Sequence, residues 1–274
     1  MKFNRFNSSK KIKGLNDKDV FVTSSKKKSK KKREMAEEKK SDEVPKKVKV
    51  LLVVTNHTKL GDTKKQTGFY LPEVAHPYYL FKEKSYDVVF TSIKGGLAEV
   101  DEGSIKNFSS DATCQKFVKE FLESNQGKYL ETYAISALDA IFYSGGHGTM
   151  WDFPNDSILN KAAEKIYNNG GVIGAVCHGP AGILNLKDEK GEYLIKGKNV
   201  TGFSNKEEEA VELTKVVPFS LEDELKKRKA NYSSADNFKS HVVTDTRLVT
   251  GQNPASSSTC AEAVIDQVSK AFFG

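Results

Sequence analysis

Short apolar runs separated by helix-like segments limit the possible folds of this chain more than any other feature of its sequence. The runs VKVLLVV (48–54), LDAIFYSGG (138–146) and GVIGAV (171–176) are typical of strands buried in a parallel sheet. Segments with helical spacing lie around them, at 72–84, 112–124 and 156–171. Strands that alternate with helices across short loops predict an α/β fold with a doubly wound, mostly parallel sheet flanked by helices.

The remaining segments extend this pattern to the C-terminus. Strands are predicted at 86–92 and 198–204, helices from 180 and at 205–214, 220–230 and 254–272, and a hairpin at 241–251 that turns at Asp245 and Thr246. In a doubly wound sheet, ligands bind beyond the carboxyl ends of the strands. The residues that follow 48–54, 138–143 and 172–176 are therefore expected to meet in one functional site.

The N-terminal part of the chain differs in composition from the rest. Residues 1–49 contain 18 Lys and Arg against 7 Asp and Glu, and the remainder has a small net negative charge. Low apolar content and the run KKKSKKKRE predict a disordered Lys-rich tail at 1–45, followed by a single folded domain at 46–274. The basic run either directs nuclear import, contacts an anionic surface or is only solvated. Nucleic-acid binding by the folded body is not expected.

The sequence lacks the features that are typical of several classes of protein. No stretch is apolar over the roughly 18 residues of a transmembrane helix, and the N-terminus has no apolar signal core. Three widely spaced cysteines argue against a disulfide framework and for a reducing compartment, so we expect a cytoplasmic protein, which is also nuclear if the basic run directs import. The sequence has no CxxC or HExxH motif that would indicate a zinc site, and we expect neither a metal nor a cofactor.

The stretch GAVCHGPAGIL (174–184) places Cys177 between a predicted buried strand and a predicted helix. Its small neighbours permit a tight turn like the nucleophile elbow of hydrolases. The amides and dipole at the start of the helix should favour the thiolate, which is the reactive form of cysteine. The alternative is a free thiol packed in a turn. Cys114 and Cys260 lack such surroundings, and ordinary packing is expected for both.

Several separate motifs give the chain a family resemblance. The stretches AVCHGPAGIL, YSGGHGTMWDFPND, TGFYLPEVAHPY and DTRLVTGQNPASS, in a region from about Lys47 to the C-terminus, resemble the superfamily of PfpI-type proteases and the parkinsonism-associated protein deglycase. The chain is most similar to its heat-shock chaperone and glyoxalase III branch. The resemblance implies a flavodoxin-like, class I glutamine amidotransferase-like fold.

The resemblance also implies roles for individual residues. Cys177 matches the nucleophile, His178 the adjacent histidine, and Glu73 a carboxylate that reaches the cysteine sulfur and shuttles protons. The amides of Gly146 and His178 would form an oxyanion hole. A third acidic residue orients the histidine in this branch, and spacing favours Glu208.

Two details of this assignment stay open in the sequence. Glu207 and Glu209 adjoin Glu208, so the acidic partner of the histidine could be shifted by one position. His147, in SGGHG, either faces the pocket or caps its loop, and no chemical role is assigned to it.

The activity that the resemblance implies is a cofactor-independent, glutathione-independent glyoxalase III. It would convert methylglyoxal to D-lactate, and glyoxal to glycolate, through a hemithioacetal on the cysteine, and so protect against carbonyl stress. The alternatives are a cysteine peptidase, amidase or protein deglycase, and a stress chaperone or redox sensor.

A glutamine amidotransferase is disfavoured because the C-terminal part has no HxE pair: His241 is followed by VVTD. The expected partners are a 2-oxoaldehyde, unfolded protein clients and a second copy in a homodimer, with no membrane.

Overall fold

The computed structural model describes residues 46–96, 98–122, 128–129 and 137–274. Lys47–Gly274 form one compact unit. The predicted tail at 1–45 lies outside the described residues, so its disorder stays a prediction. Among the described residues, none of the helices combines the length and the apolar character that a membrane span requires.

A seven-stranded sheet forms the centre of the compact unit. Its strands are β1 Lys49–Val54, β2 Asp87–Ser92, β3 Lys128–Tyr129, β4 Ala140–Tyr143, β5 Val172–Val176, β8 Val242–Asp245 and β9 Leu248–Gly251. They lie in the order β3-β2-β1-β4-β5-β9-β8. Every neighbouring pair is parallel except β8 and β9, which form the predicted hairpin. A separate parallel sheet pairs β6 Asn199–Val200 with β7 Asn231–Tyr232.

Helices pack against this sheet. They are α1 Pro72–Glu83, α2 Glu102–Asn107, α3 Ala112–Phe117, α4 Thr149–Asp152, α5 Ser157–Asn168, α6 Asn205–Ala210, α7 Leu221–Lys227 and α8 Ser257–Phe273. Helix α8 packs on α1, β5 and β9, and α5 packs on β4 and β5. All residues of β4 and β5 are buried, as expected for strands covered on both faces. The predicted α/β fold class is therefore confirmed.

The structure corrects some predicted elements. Of the strand predicted at 198–204, only Asn199–Val200 pair as a strand, and they lie outside the main sheet. The rest cannot pair because its amides are used elsewhere: Thr201 donates to Thr250 Oγ1 at 2.9 Å, and Phe203 donates to the Cys177 carbonyl at 2.9 Å. The helix predicted at 112–124 is α-helical only to Phe117 and continues as a π-helical turn.

Two short helices of the structure were not predicted from the sequence. Helix α2 begins at the N-cap Asp101, whose side chain accepts from the Ser104 amide at 3.0 Å. Helix α4 has four residues. Neither is long enough to show a helical period in the sequence.

The parallel order places three chain segments at one edge of the sheet. β1, β4 and β5 are neighbours, so the residues that follow them leave the sheet side by side. These are the loop from Thr55, the glycine-rich turn from Ser144 and the turn at Cys177. The expected meeting of these segments is thereby confirmed by the topology.

Candidate active site

Cys177 follows β5 directly and has a backbone φ of 60°, in the left-handed region that non-glycine residues rarely adopt. Its amide donates to the Gly251 carbonyl at 2.9 Å, and its carbonyl accepts from the Phe203 amide at 2.9 Å. Hydrogen bonds on both sides hold this conformation in place. The turn therefore has the strained strand-to-helix geometry of a nucleophile elbow.

The segment after Cys177 differs from the predicted helix, because Gly179–Ile183 form a 3-10 helix of only five residues. So short a segment has a small dipole. Burial raises the pKa of the Cys177 thiol, the Glu73 carboxyl raises it further when it is ionised, and the His178 amide offsets only part of this rise. The predicted amide effect is thus present at His178, but burial outweighs it, and the pKa of the thiol lies above its usual range. A base must remove the thiol proton during the reaction.

His178 is placed to be that base. Its Nδ1 lies 3.3 Å from Cys177 Sγ, and its Nε2 lies 2.7 Å from Glu208 Oε2. Burial lowers the pKa of His178, and repulsion from His147 lowers it further, so the neutral ring is favoured. A neutral ring with its proton on Nε2 donates to Glu208 and offers the Nδ1 lone pair to the thiol.

Glu208, and not Glu207, contacts the histidine. The Glu207 carboxylate points away and accepts from the Phe238 amide and from Asn253 Nδ2, both at 2.8 Å. Glu209 is exposed. Burial raises the pKa of Glu208, but His178 and His147 outweigh it and hold that pKa well below its usual range. Glu208 is thus a carboxylate that fixes the tautomer of the ring.

His147 is a site residue to which sequence reasoning gave no role. Its Nε2 lies 2.9 Å from Glu208 Oε1, so each oxygen of this carboxylate binds one histidine. The ring centroids of His147 and His178 are 4.1 Å apart. The only signal in the sequence was a histidine inside a glycine-rich turn at the site edge, which does not reveal its partner.

Glu73 is the second residue of α1 and is fully buried. Its carboxyl group interacts with the Cys177 side chain and the Gly145 amide. Among the described residues, neither carboxyl oxygen has a partner at standard hydrogen-bond geometry. Burial raises the pKa of Glu73 well above its usual range, and the contacts with Cys177 and Gly145 offset only part of this. The group therefore keeps its proton at higher pH than an exposed glutamate does.

A glycine next to this carboxyl leaves room for it. A Cβ atom on Gly145 would lie 2.2 Å from Glu73 Oε2 and 2.9 Å from the Cys177 Cβ atom. Any larger residue would thus separate the carboxyl from the thiol.

Gly146 and His178, the predicted oxyanion-hole residues, are linked by one side chain. Thr149 Oγ1 lies 2.9 Å from the Gly146 carbonyl oxygen and 3.0 Å from the His178 carbonyl oxygen. Gly146 has a φ of 106°, and a Cβ atom there would lie 2.2 Å from the Gly68 carbonyl oxygen. The Thr149 hydroxyl, absent from our sequence prediction, thus connects the two turns that would supply the amide donors.

The site also contains a group of metal-type ligands. Donor atoms of His147, His178 and Glu208 all lie within 4.8 Å of one another. The hydrogen bonds of Glu208 to both rings account for this spacing, and His178 also faces the thiol. We therefore assign these three residues to the Cys177 site and not to a metal centre.

Known proteins are similar to this chain in sequence and in fold. The DJ-1/PfpI family model matches residues 66–267. Glyoxalase 3 of Candida albicans is 37% identical over 233 residues, which cover 80% of this chain and 97% of that protein. The glutathione-independent glyoxalase HSP31 of Saccharomyces cerevisiae is 35% identical over 232 residues, covering 81% and 98% of the two chains.

A solved structure is also similar to this chain. The crystal structure of glyoxalase III from Candida albicans superposes with a TM-score of 0.74 and 34% identity, over 80% of this chain and 97% of that one. The family model spans most of the compact unit, including Glu73, Cys177 and Glu208. The chain belongs to the DJ-1/PfpI family.

Proposed function

We propose that this protein is a glutathione-independent glyoxalase that converts methylglyoxal to D-lactate, and glyoxal to glycolate. The observation that carries the proposal is the buried carboxyl group of Glu73 beside Cys177. Acyl transfer needs a nucleophile, a base and an oxyanion site. Isomerising a 2-oxoaldehyde needs in addition a group that moves a proton between two carbons, and Glu73 supplies it. The relatives named as glyoxalases support the same activity.

The first half of the reaction forms an enediol. His178 takes the thiol proton as Cys177 Sγ attacks the aldehyde carbon C1, and Glu73 protonates the resulting alkoxide. The hemithioacetal is then bound to the cysteine, Glu73 is ionised and His178 is protonated. Glu73 next removes the C1 proton while His178 protonates the C2 oxygen. Both groups return to their starting states, and the enediol is attached to sulfur.

The second half releases the acid. Glu73 delivers its proton to C2, and His178 takes the C1 hydroxyl proton, which leaves a thioester. Water attacks C1 with ionised Glu73 as its base, the thiolate leaves, and His178 returns a proton to the sulfur. The sum is one methylglyoxal and one water converted to one lactic acid. The raised pKa of Glu73 and the lowered pKa of His178 match the states in which each begins.

Burial of the site favours a small substrate over a peptide. Cys177 is 4% exposed, His178 1% and Glu73 0%. The carbonyl carbon of an extended peptide would have to reach this thiol with its flanking residues attached. Peptidase, amidase and deglycase activity, for which the Cys–His–Glu arrangement has the required groups, remains the enzymatic alternative.

The test is D-lactate formation from methylglyoxal by purified protein without glutathione. Cys177→Ala should abolish it, and Cys260→Ala is the matched control, since Cys260 is a second buried thiol and burial raises its pKa to about 12. No D-lactate from the wild type, or equal amounts from Cys177→Ala, would overturn the proposal. Cys177-dependent cleavage of a peptide or amide would favour the hydrolase instead.

We also propose that the protein acts in the cytoplasm and that the basic run at 26–33 adds nuclear import. These residues lie outside the described ones, and the proposal depends on their composition. Fluorescent fusions that start at Met1 and at Met35 should differ in nuclear signal; equal distributions would contradict it. The homodimer and the chaperone role stay predictions, and a Cys177→Ala protein that still prevents client aggregation would separate that role from catalysis.

A further inference from the structure

A second cluster of reactive side chains lies outside the Cys177 site. His76 on α1 places Nε2 3.0 Å from Oδ2 of Asp111, the residue before α3. Cys114, in the first turn of α3, interacts through its side chain with Asp111. The proposed glyoxalase chemistry uses none of these three residues.

The donor set matches the ligands of zinc. It contains an imidazole nitrogen, a carboxylate oxygen and a cysteine sulfur, and one donor atom of each residue lies within 4.8 Å of the others. Zinc binds such atoms at about 2.0 to 2.3 Å, so a single ion between them could reach all three after small side-chain shifts. His76 lies 35 positions before Asp111, and Asp111 lies 3 positions before Cys114, so the three residues form no sequence motif of the CxxC or HExxH kind.

Neighbouring groups already orient the donors. His76 Nδ1 lies 2.9 Å from Ser258 Oγ on α8, an interaction that fixes the ring and can accept the Nδ1 proton when Nε2 binds a metal. Asp111 Oδ1 accepts from the Cys114 amide at 2.8 Å, which leaves Oδ2 directed at the cluster. Metal-binding histidines commonly have such an outer hydrogen-bond partner.

A cavity adjoins the cluster at His76. His76 and Ser258 line a cavity of about 420 Å³, together with Tyr70, Phe108 and Phe238. Three protein ligands with an open fourth position are typical of zinc sites that bind water or a small molecule.

We propose that His76, Asp111 and Cys114 bind a zinc ion, with its fourth coordination position open to this cavity. On binding, the sulfur–hydrogen bond of Cys114 breaks, a zinc–sulfur bond forms, and one proton leaves to solvent. The hydrogen bond between His76 and Asp111 is replaced by two bonds to the metal. The His76 proton then lies on Nδ1 and is donated to Ser258. The ion would join α1, α3 and, through Ser258, α8.

Cobalt(II) is a suitable probe, because a thiolate ligand gives a near-ultraviolet charge-transfer band that imidazole and carboxylate ligands do not. The wild type, Cys177→Ala and Cys260→Ala should each bind one cobalt ion with this band, and zinc should remove it. Cys114→Ser should abolish the band. His76→Gln and Asp111→Asn should weaken cobalt binding by roughly tenfold or more, as lost ligands and ligand partners do.

The variants are chosen to preserve the fold. Asparagine caps helices as well as aspartate does, so Asp111→Asn keeps the start of α3 while removing the anionic ligand. Circular dichroism checks folding, and His76→Gln tests the proposal if Cys114→Ser does not fold. A wild type without the band, a band lost in Cys177→Ala, or unchanged affinity in folded His76→Gln would overturn the proposal. The three residues would then serve only to anchor α1 to α3.

Discussion

Glu208 binds two histidines, with Oε2 2.7 Å from His178 Nε2 and Oε1 2.9 Å from His147 Nε2. The side chains of His178 and Glu208 are nearly buried, whereas that of His147 is 18% exposed. The second histidine limits rotation of the carboxylate that orients His178. A triad of Cys177, His178 and Glu208 is thus an incomplete description of the site.

Replacing His147 should change the pH dependence of catalysis. His147→Phe removes the hydrogen bond to Glu208 and the repulsion that lowers the pKa of His178, so that pKa should rise. Since His178 must be neutral to accept the thiol proton, the acid limb of kcat/KM for methylglyoxal should move to higher pH. The rate at its maximum should fall roughly tenfold or more, because hydrogen bonds to charged groups are worth about 1.5 to 3 kcal/mol.

His147→Gln is the matched control, since an amide can still donate to Glu208. It should recover much of the maximal rate while keeping the shifted acid limb. An acid limb that stays in place in both variants would show that His147 does not act on His178.

Glutamine substitutions at Glu207 and Glu208 should have opposite effects. Glu207 accepts hydrogen bonds from Ser204, Phe238 and two side-chain amides, Gln252 and Asn253. Glu207→Gln turns an acceptor into a donor among these donors, so it should lower the free energy of unfolding by about 1 to 3 kcal/mol. Its kcat should change little, because the carboxylate does not contact His178.

Glu208→Gln should instead lower kcat by roughly a hundredfold or more, as expected for disrupted general-base catalysis. Urea denaturation and D-lactate kinetics on both proteins make the comparison. If folded Glu207→Gln lost as much activity as Glu208→Gln, the assignment of Glu208 as the histidine's partner would fail.

The parts of this site that depend on local sequence pattern could be predicted from the sequence. Three apolar runs placed the turns after β1, β4 and β5 at one edge, and glycines around Cys177 indicated the tight turn. The choice between Glu207 and Glu208 required spacing from known relatives, because both occupy the same acidic helix start. The structure separates them by the direction of their side chains.

Other features depend on tertiary contacts that no local pattern reports. The pattern at 198–204 predicts a strand, but the Phe203 amide donates to the Cys177 carbonyl and the Thr201 amide donates to Thr250 Oγ1. Most of the segment therefore does not pair as a strand. The pKa of Cys177 depends on burial and on Glu73, a residue 104 positions earlier in the sequence. Propensity and spacing contain neither fact.

Glu73→Gln should stabilise the protein at neutral pH while abolishing D-lactate formation. Burial raises the pKa of Glu73 in the folded state, so the folded protein binds this proton more tightly than the unfolded chain. The wild type therefore loses stability as pH rises from the ordinary glutamate pKa toward the raised one. Glutamine does not titrate, so the variant's advantage should grow over that range, to about 1 to 3 kcal/mol.

Urea denaturation of both proteins from pH 4 to pH 8 measures this difference. The difference should be smallest at the acid end, where Glu73 is protonated in the folded state and mostly protonated in the unfolded chain. A difference that does not vary with pH would show that the Glu73 carboxyl has no raised pKa.

Deuterium placed on C1 of methylglyoxal should appear in part on C2 of the D-lactate formed in ordinary water. The same Glu73 carboxyl removes the C1 proton and delivers one to C2, and its full burial slows exchange with solvent between the two steps. Mass spectrometry and NMR of the product measure the retained label. Complete loss of the label would mean that the proton exchanges with water during the reaction, contrary to this shielding. A direct hydride shift would also retain the label, but it would continue in Glu73→Gln, whereas proton transfer through Glu73 would not.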